Sequence, residues 1–340
     1  MNTYDKIKLL GRGSFGEAWI VENNKIKYVM KLLRTDRVNL SSFHKEIETL
    51  NKISVGCKQN SSSFCLIESF IEYPKTETDI PNYVIITNYL ENAKELTEFM
   101  YTLDVHSILF IMQRLLEQLT TFHNNNITHS DIKPQNIIIQ FKDTFVKNVL
   151  FIDFGLACIQ DTCKYSGTVS YMAPEALRNL QKETTIENIK KTDIWSLGVV
   201  FYRLLNKTFP YKSYDDYLYN KKSELSELSD NNNNNSDNNS DNSELSENTP
   251  KDIIKGNQIF RLVGFYEKHV IKSNYYNEEL SQETNDKLNF IVESMLILDS
   301  SKRITINEIN TIFPNILIKN NFLSSNKIFF NEFDDSEYTE

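Results

Sequence analysis

A change of hydrophobic period part-way along the chain limits what it can fold into. From residue 5 to about 90, short β-rich runs (KIKLL, EAWIVEN, KYVMKLL, NYVIITNYL) alternate with turn residues, broken by one helical stretch around 41–53. From 105 onward Val105, Ile108, Leu109, Met112, Leu115, Leu116, Leu119 and Phe122 recur at steps of three and four. That spacing lines one face of a long helix, which Asn124, Asn125 and Asn126 end. Two short runs follow, NIIIQ and VLFIDF, and then apolar helix candidates at 193–205 and 287–298. An α+β chain is therefore expected, with a small sheet-rich lobe carrying one helix ahead of a larger, mainly helical lobe. At 340 residues, one two-lobed domain and two ordinary domains are both open on length alone.

Residues 213–250 break this order with SELSELSD, five consecutive Asn and SELSE again, a composition that buries no apolar surface and reads as a disordered insertion. The formal net charge of −9 argues against nucleic acid as a partner. Much of it is local, however: seven acidic residues lie in 223–248 and five in 332–340, and setting them aside leaves 34 acidic against 37 basic residues. The folded body is thus nearly neutral, and its charge says little about the substrate. Cys57, Cys65, Cys158 and Cys163 show no CxxC pairing and read as reduced thiols. The N-terminus has charges where a signal peptide needs an apolar run, and no stretch reaches the ~18 apolar residues of a membrane span. These features fit a soluble cytoplasmic protein, with the nucleus left open.

Gly11-Arg12-Gly13-Ser14-Phe15-Gly16 fits GxGxxG, where missing side chains let backbone N–H groups approach phosphate oxygens. A dinucleotide loop would need a helix to start at the third glycine, whereas Glu17-Ala18-Trp19-Ile20-Val21 reads as strand. Fifteen residues after Gly16, Lys31 ends the strand KYVMK, and Glu46 in the following helix is the natural carboxylate to pair with it. Beyond the long helix comes His129-Ser130-Asp131-Ile132-Lys133-Pro134-Gln135-Asn136, followed by Asp153-Phe154-Gly155.

In these motifs, their order and their spacing, the sequence resembles the eukaryotic protein kinase family, with Ser/Thr-directed members matched by Lys133 and Thr168. Ala173-Pro174-Glu175, Asp193-Ile194-Trp195-Ser196-Leu197-Gly198 and Arg303, the expected partner of Glu175, extend the likeness over residues 4–312. The resemblance implies a two-lobed kinase fold with an N-lobe at 4–87, a hinge at 88–96, a C-lobe at 97–312 and a tail at 313–340. It implies ATP and Mg²⁺ as cofactors and Ser/Thr residues of proteins as acceptors, and leaves oligomeric state open. Asp131 would be the catalytic base, Lys133 the cation on the transferring phosphoryl group, and Asn136 and Asp153 the Mg²⁺ ligands. Gly11, Gly13, Ser14, Phe15, Gly16, Lys31 and Glu46 would hold the nucleotide. Leu50, Leu66, His129 and Phe154 fall where the family stacks an apolar column between its lobes.

The sequence also departs from that pattern. Ser130 replaces the Arg that would meet an activation-loop phosphate, so activity without loop phosphorylation is expected. Thr87 stands at the gatekeeper position, Val29 and Ala18 reshape the adenine slot, and Gln135 replaces a Glu common in kinases that select basic peptides. These departures keep a pseudokinase scaffold open as the alternative. A kinase of small metabolites is the other rival, against which the motifs Gly167-Thr168 and Ala173-Pro174-Glu175 argue.

Overall fold

A computed structural model describes residues 4–13, 16–54, 66–72, 81–159, 167–182, 188–211 and 270–319. The insertion expected at 213–250, the acidic end of the tail, Ser14, Phe15, Cys57, Cys65 and Cys163 lie outside the described residues. The first half forms a five-stranded antiparallel sheet from β1 (Asp5–Arg12), β2 (Gly16–Asn23), β3 (Ile26–Arg34), β4 (Leu66–Glu72) and β5 (Asn82–Asn88), in the order β1-β2-β3-β5-β4. One helix, α1 (Leu40–Ile53), lies between β3 and β4. Asn39 caps it by accepting from the Ser42 amide at 2.8 Å, satisfying one of the donors that a helix start leaves open. Phe43, on its buried face, stacks on Tyr83 of β5 at 4.5 Å and fixes the helix over the sheet.

The remainder is mainly helical. The period-3.6 run becomes α2 (Val105–Asn124), capped by Asp104, with every apolar position of that run buried. A three-stranded sheet, β6 (Lys94–Glu95), β7 (Ile137–Lys142) and β8 (Phe145–Phe151), sits against it. Then come α3 (Pro174–Lys182), α4 (Lys190–Asn206), α5 (Gln282–Met295) and α6 (Ile306–Lys319). The sheet-rich and helical halves expected from the sequence are thus both present.

Helix α4 is the centre of the helical half, with thirteen of its residues buried. Gly198 lets α5 approach it, since a Cβ there would lie 2.8 Å from the Cβ of Met295. Beside α5 the extended segment 273–277 is held by side chains four residues apart. Glu293 accepts from the Ser273 amide, Asn289 from that of Tyr275 and Asn285 from that of Asn277. Four helical residues rise about 6 Å and two extended residues about 6.6 Å, so the two periods stay in step.

Candidate active site

Lys31 sits in the middle of the first sheet, opposite Ala18 on β2 and Ile85 on β5. Its Nζ donates to Glu46 Oε1 at 2.6 Å and to Asp153 Oδ1 at 2.7 Å. Glu46 is buried, whereas the Asp153 side chain is 50% exposed. Burial alone would lower the Lys31 pKa; Glu46 and then Asp153 outweigh it and raise it, so the ammonium stays charged at neutral pH. Burial likewise opposes ionisation of Asp153, yet Lys31 more than compensates and holds its carboxyl below the usual range.

Asp131 is held from both sides. Oδ1 accepts from the Thr168 amide at 2.9 Å and its hydroxyl at 2.8 Å; Oδ2 accepts from Lys133 Nζ at 2.7 Å and Asn136 Nδ2 at 3.0 Å. Lys133 also donates to Thr168 Oγ1 at 2.8 Å, closing a triangle of carboxylate, cation and hydroxyl. The backbone that presents Asp131 is itself unusual, for Ser130 has φ 68° and Asp153 has φ 63°. Such left-handed residues cost about 1–3 kcal/mol each and persist only where surroundings impose them. At Ser130 the surroundings are Asp193, fully buried in the first turn of α4, which accepts from the His129 amide at 2.8 Å and the Ser130 amide at 2.9 Å. His123, at the end of α2, places Nε2 3.2 Å from the same carboxylate.

His129 lies 4.9 Å ring to ring from Phe154, and Phe154 contacts Phe122 edge-on at 5.5 Å. Leu50 belongs to the same apolar cluster, and Leu66 packs against it. Arg303, wholly buried, grips Glu175 through two parallel bonds of 2.6 and 2.9 Å, the pairing expected for these two residues.

Lys31, Glu46 and Asp153 thus form one group and Asp131, Lys133, Asn136 and Thr168 another, linked where the Ile152 amide donates to the Asn136 carbonyl at 2.9 Å. Of the glycine loop, Gly11, Gly13 and Gly16 are described. The Gly13 amide donates to the Gly16 carbonyl at 2.8 Å, closing the turn between β1 and β2. A Cβ on Gly16 would lie 1.7 Å from the Leu32 carbonyl oxygen, whereas one on Gly11 or Gly13 would meet nothing within 4 Å. Gly16→Ala is therefore expected to destabilise the fold by about 1–3 kcal/mol, as overpacking does. Gly11→Ala should leave stability within about 0.5 kcal/mol and raise KM for ATP. Thermal melts and ATP titrations of the two variants check this contrast.

A family model for the protein kinase domain matches residues 4–312. The chain belongs to the protein kinase family. Among curated proteins, calcium-dependent protein kinase 4 of Plasmodium falciparum is 28% identical over 237 residues, covering 65% of this chain and 40% of that protein. Serine/threonine-protein kinase TIO of Arabidopsis thaliana is 30% identical over 219 residues, covering 59% of this chain and 14% of that protein. Serine/threonine-protein kinase cds1 of Schizosaccharomyces pombe is 31% identical over 229 residues, 62% of this chain and 46% of that protein. The chain thus spans less than half the length of these kinases.

The anchoring of residues 129–131, the segment that carries Asp131, by Asp193 was not foreseen. His123 carries no motif, and its contact with Asp193 joins residues 70 apart. One expectation is overturned: Cys158, read as a free thiol, is disulfide-bonded, with its partner outside the described residues. Among the described residues no helix is long and apolar enough to cross a membrane.

Proposed function

We propose that this chain is an ATP-dependent Ser/Thr protein kinase with Asp131 as its catalytic base. The observation that carries this reading is the triangle of Asp131, Lys133 and Thr168. It sets a carboxylate, a cation and a hydroxyl within hydrogen-bond distance of one another. In the reaction the acceptor hydroxyl oxygen bonds to the γ-phosphorus of ATP, the bond to the departing ADP oxygen breaks, and Asp131 takes the hydroxyl proton. Lys133 offsets charge on the phosphoryl oxygens, and Lys31, fixed by Glu46, holds the ATP phosphates above the site.

Asn136 and Asp153 offer oxygen donors suited to Mg²⁺, which would neutralise phosphate charge when bound. Two protein ligands fit an ion that otherwise keeps water and substrate phosphate in its shell. Among the described residues no group of three or more His, Cys, Asp or Glu could hold a metal alone.

The domain divides at 4–87, 88–96 and 97–312, and the protein acts in the cytoplasm on protein acceptors. Transfer of labelled γ-phosphate from Mg-ATP to a broad protein mixture, followed by phosphoamino-acid analysis, tests the reading. Label on Ser and Thr supports it; no label above a catalytically dead control would return the scaffold alternative.

The kinase is active without loop phosphorylation. Ser130 is buried and uncharged, and Cys158, early in the activation segment, exchanges two backbone bonds of 2.8 Å with Thr128. The segment is thus tied to the catalytic loop with no phosphate in the contact. Phosphatase-treated protein should keep at least about half its activity, in contrast to the loss expected where an Arg–phosphate pair orders the loop. A near-complete loss that returns on rephosphorylation would refute this.

A further inference from the structure

The last turn of α4 carries a cation that no carboxylate among the described residues compensates. Arg203 is half-buried, donates from Nη1 to the Tyr171 hydroxyl, and holds its guanidinium 4.1 Å from the Phe209 ring centre. Among the described residues it has no carboxylate partner, in contrast to Arg303, which has Glu175 in a two-pronged pair. The aromatic contacts orient the guanidinium without neutralising it. Most of its five donors stay available, in the planar fork that suits carboxylates and phosphates.

Its place in the fold matters as much as its charge. Tyr171 closes the 3-10 turn Val169–Tyr171, which starts immediately after Thr168, and Thr168 donates twice to Asp131. Such a turn advances about 2 Å per residue, so the Tyr171 backbone lies roughly 6 Å along from Thr168. An extended peptide advances about 3.3 Å per residue. With its acceptor at Asp131, a peptide would bring side chains about two to four residues away within reach of the guanidinium. The catalytic loop adds no opposing charge at its exposed position, where Gln135 is neutral.

We infer that Arg203 is a specificity-determining residue that selects protein substrates whose acceptor Ser or Thr has Asp or Glu nearby. This rests on the kinase reading above and names its substrate class. The chain itself carries such sequences: all seven Ser of 223–248 are followed directly by Asp or Glu, and the segment has no Lys or Arg.

The probe is a peptide of residues 221–232, KKSELSELSDNN, beside an amide version, KKSQLSQLSNNN, a Lys version, KKSKLSKLSKNN, and a mixture of unrelated protein acceptors. The wild-type chain should use the acidic peptide with kcat/KM about tenfold to a hundredfold above the amide version, the range of a charge-assisted bond. Most of the difference should lie in KM. Arg203→Ala should erase the preference, Arg203→Lys should retain part of it, and Arg203→Glu should turn it toward the Lys version. Arg203→Lys also serves as the folded reference should either other variant melt early. Equal use of acidic and amide peptides by wild type, or a preference that survives Arg203→Ala, would overturn the inference and leave the kinase reading intact. Failure to label any acceptor, the protein mixture included, would overturn both.

Discussion

Asp131→Asn is expected to lower kcat about 10²- to 10⁴-fold, the usual contribution of a positioned general base, while leaving KM for ATP within about twofold. The split follows from the geometry. All four groups that contact the Asp131 carboxylate are donors: the Thr168 amide and hydroxyl, Lys133 and Asn136. An asparagine amide can satisfy the donors on one side only, and its NH₂ then faces donors on the other. The substrate hydroxyl loses its proton acceptor, and Thr168 or Lys133 loses its anchor. The proposed ATP contacts lie elsewhere, at Lys31 and the glycine turn, and Lys31 is held by Glu46 and Asp153 independently of Asp131. Steady-state kinetics in Mg-ATP with a fixed acceptor read both constants. A loss below tenfold would remove Asp131 from the role of base, and a large rise in the ATP KM would place it in nucleotide binding instead.

Why so much of this site is legible in the sequence, and why some is not, comes down to the distance over which each constraint acts. The period-3.6 stripe of 105–122 announces α2 because one buried face requires it, and α2 forms over Val105–Asn124. The helix expected at 41–53 appears as Leu40–Ile53, since its buried Phe43, Glu46, Thr49 and Leu50 lie on one face. Glu46 could be named as the partner of Lys31 only because a short motif and the family's spacing agree; nothing local says that Asp153 would complete the bridge. Asp193 shows the limit. Its carboxylate fixes two backbone amides more than 60 residues away and meets His123, 70 residues away. No periodicity or turn chemistry encodes such a contact. Arg203 is legible only as a polar residue in an apolar helix until the fold places Tyr171 and Phe209 against it.

Removing one partner of the buried Arg303–Glu175 pair should be the most destabilising single change available outside the apolar core. Arg303 is completely enclosed, with Nη1 and Nη2 on Glu175, Nε on the Ile297 carbonyl, and its guanidinium over the Trp195 ring at 5.0 Å. Glu175→Ala strips away the compensating charge but leaves the guanidinium where water cannot reach it. The expected cost is about 3–5 kcal/mol, typical of a broken buried pair, or roughly 4–8 °C in Tm for a chain of this size. Arg303→Met should cost less, because Glu175 lies nearer the surface and can be hydrated. The double variant Glu175→Met with Arg303→Met should be milder than Glu175→Ala alone, since it removes both charges and fills the space. The same pair ties the start of α3 to α4 and to the segment before α6: Arg303 also donates to the Lys191 carbonyl, and Lys191 returns a bond from its ammonium. Below its melting temperature, Glu175→Ala should therefore raise KM for the protein acceptor more than KM for ATP. Thermal denaturation of the three variants, with both KM values measured on each, provides the check. Single variants within 1 kcal/mol of wild type would show that water reaches Arg303, and equal shifts in both KM values would show that the pair supports the whole site rather than the acceptor side.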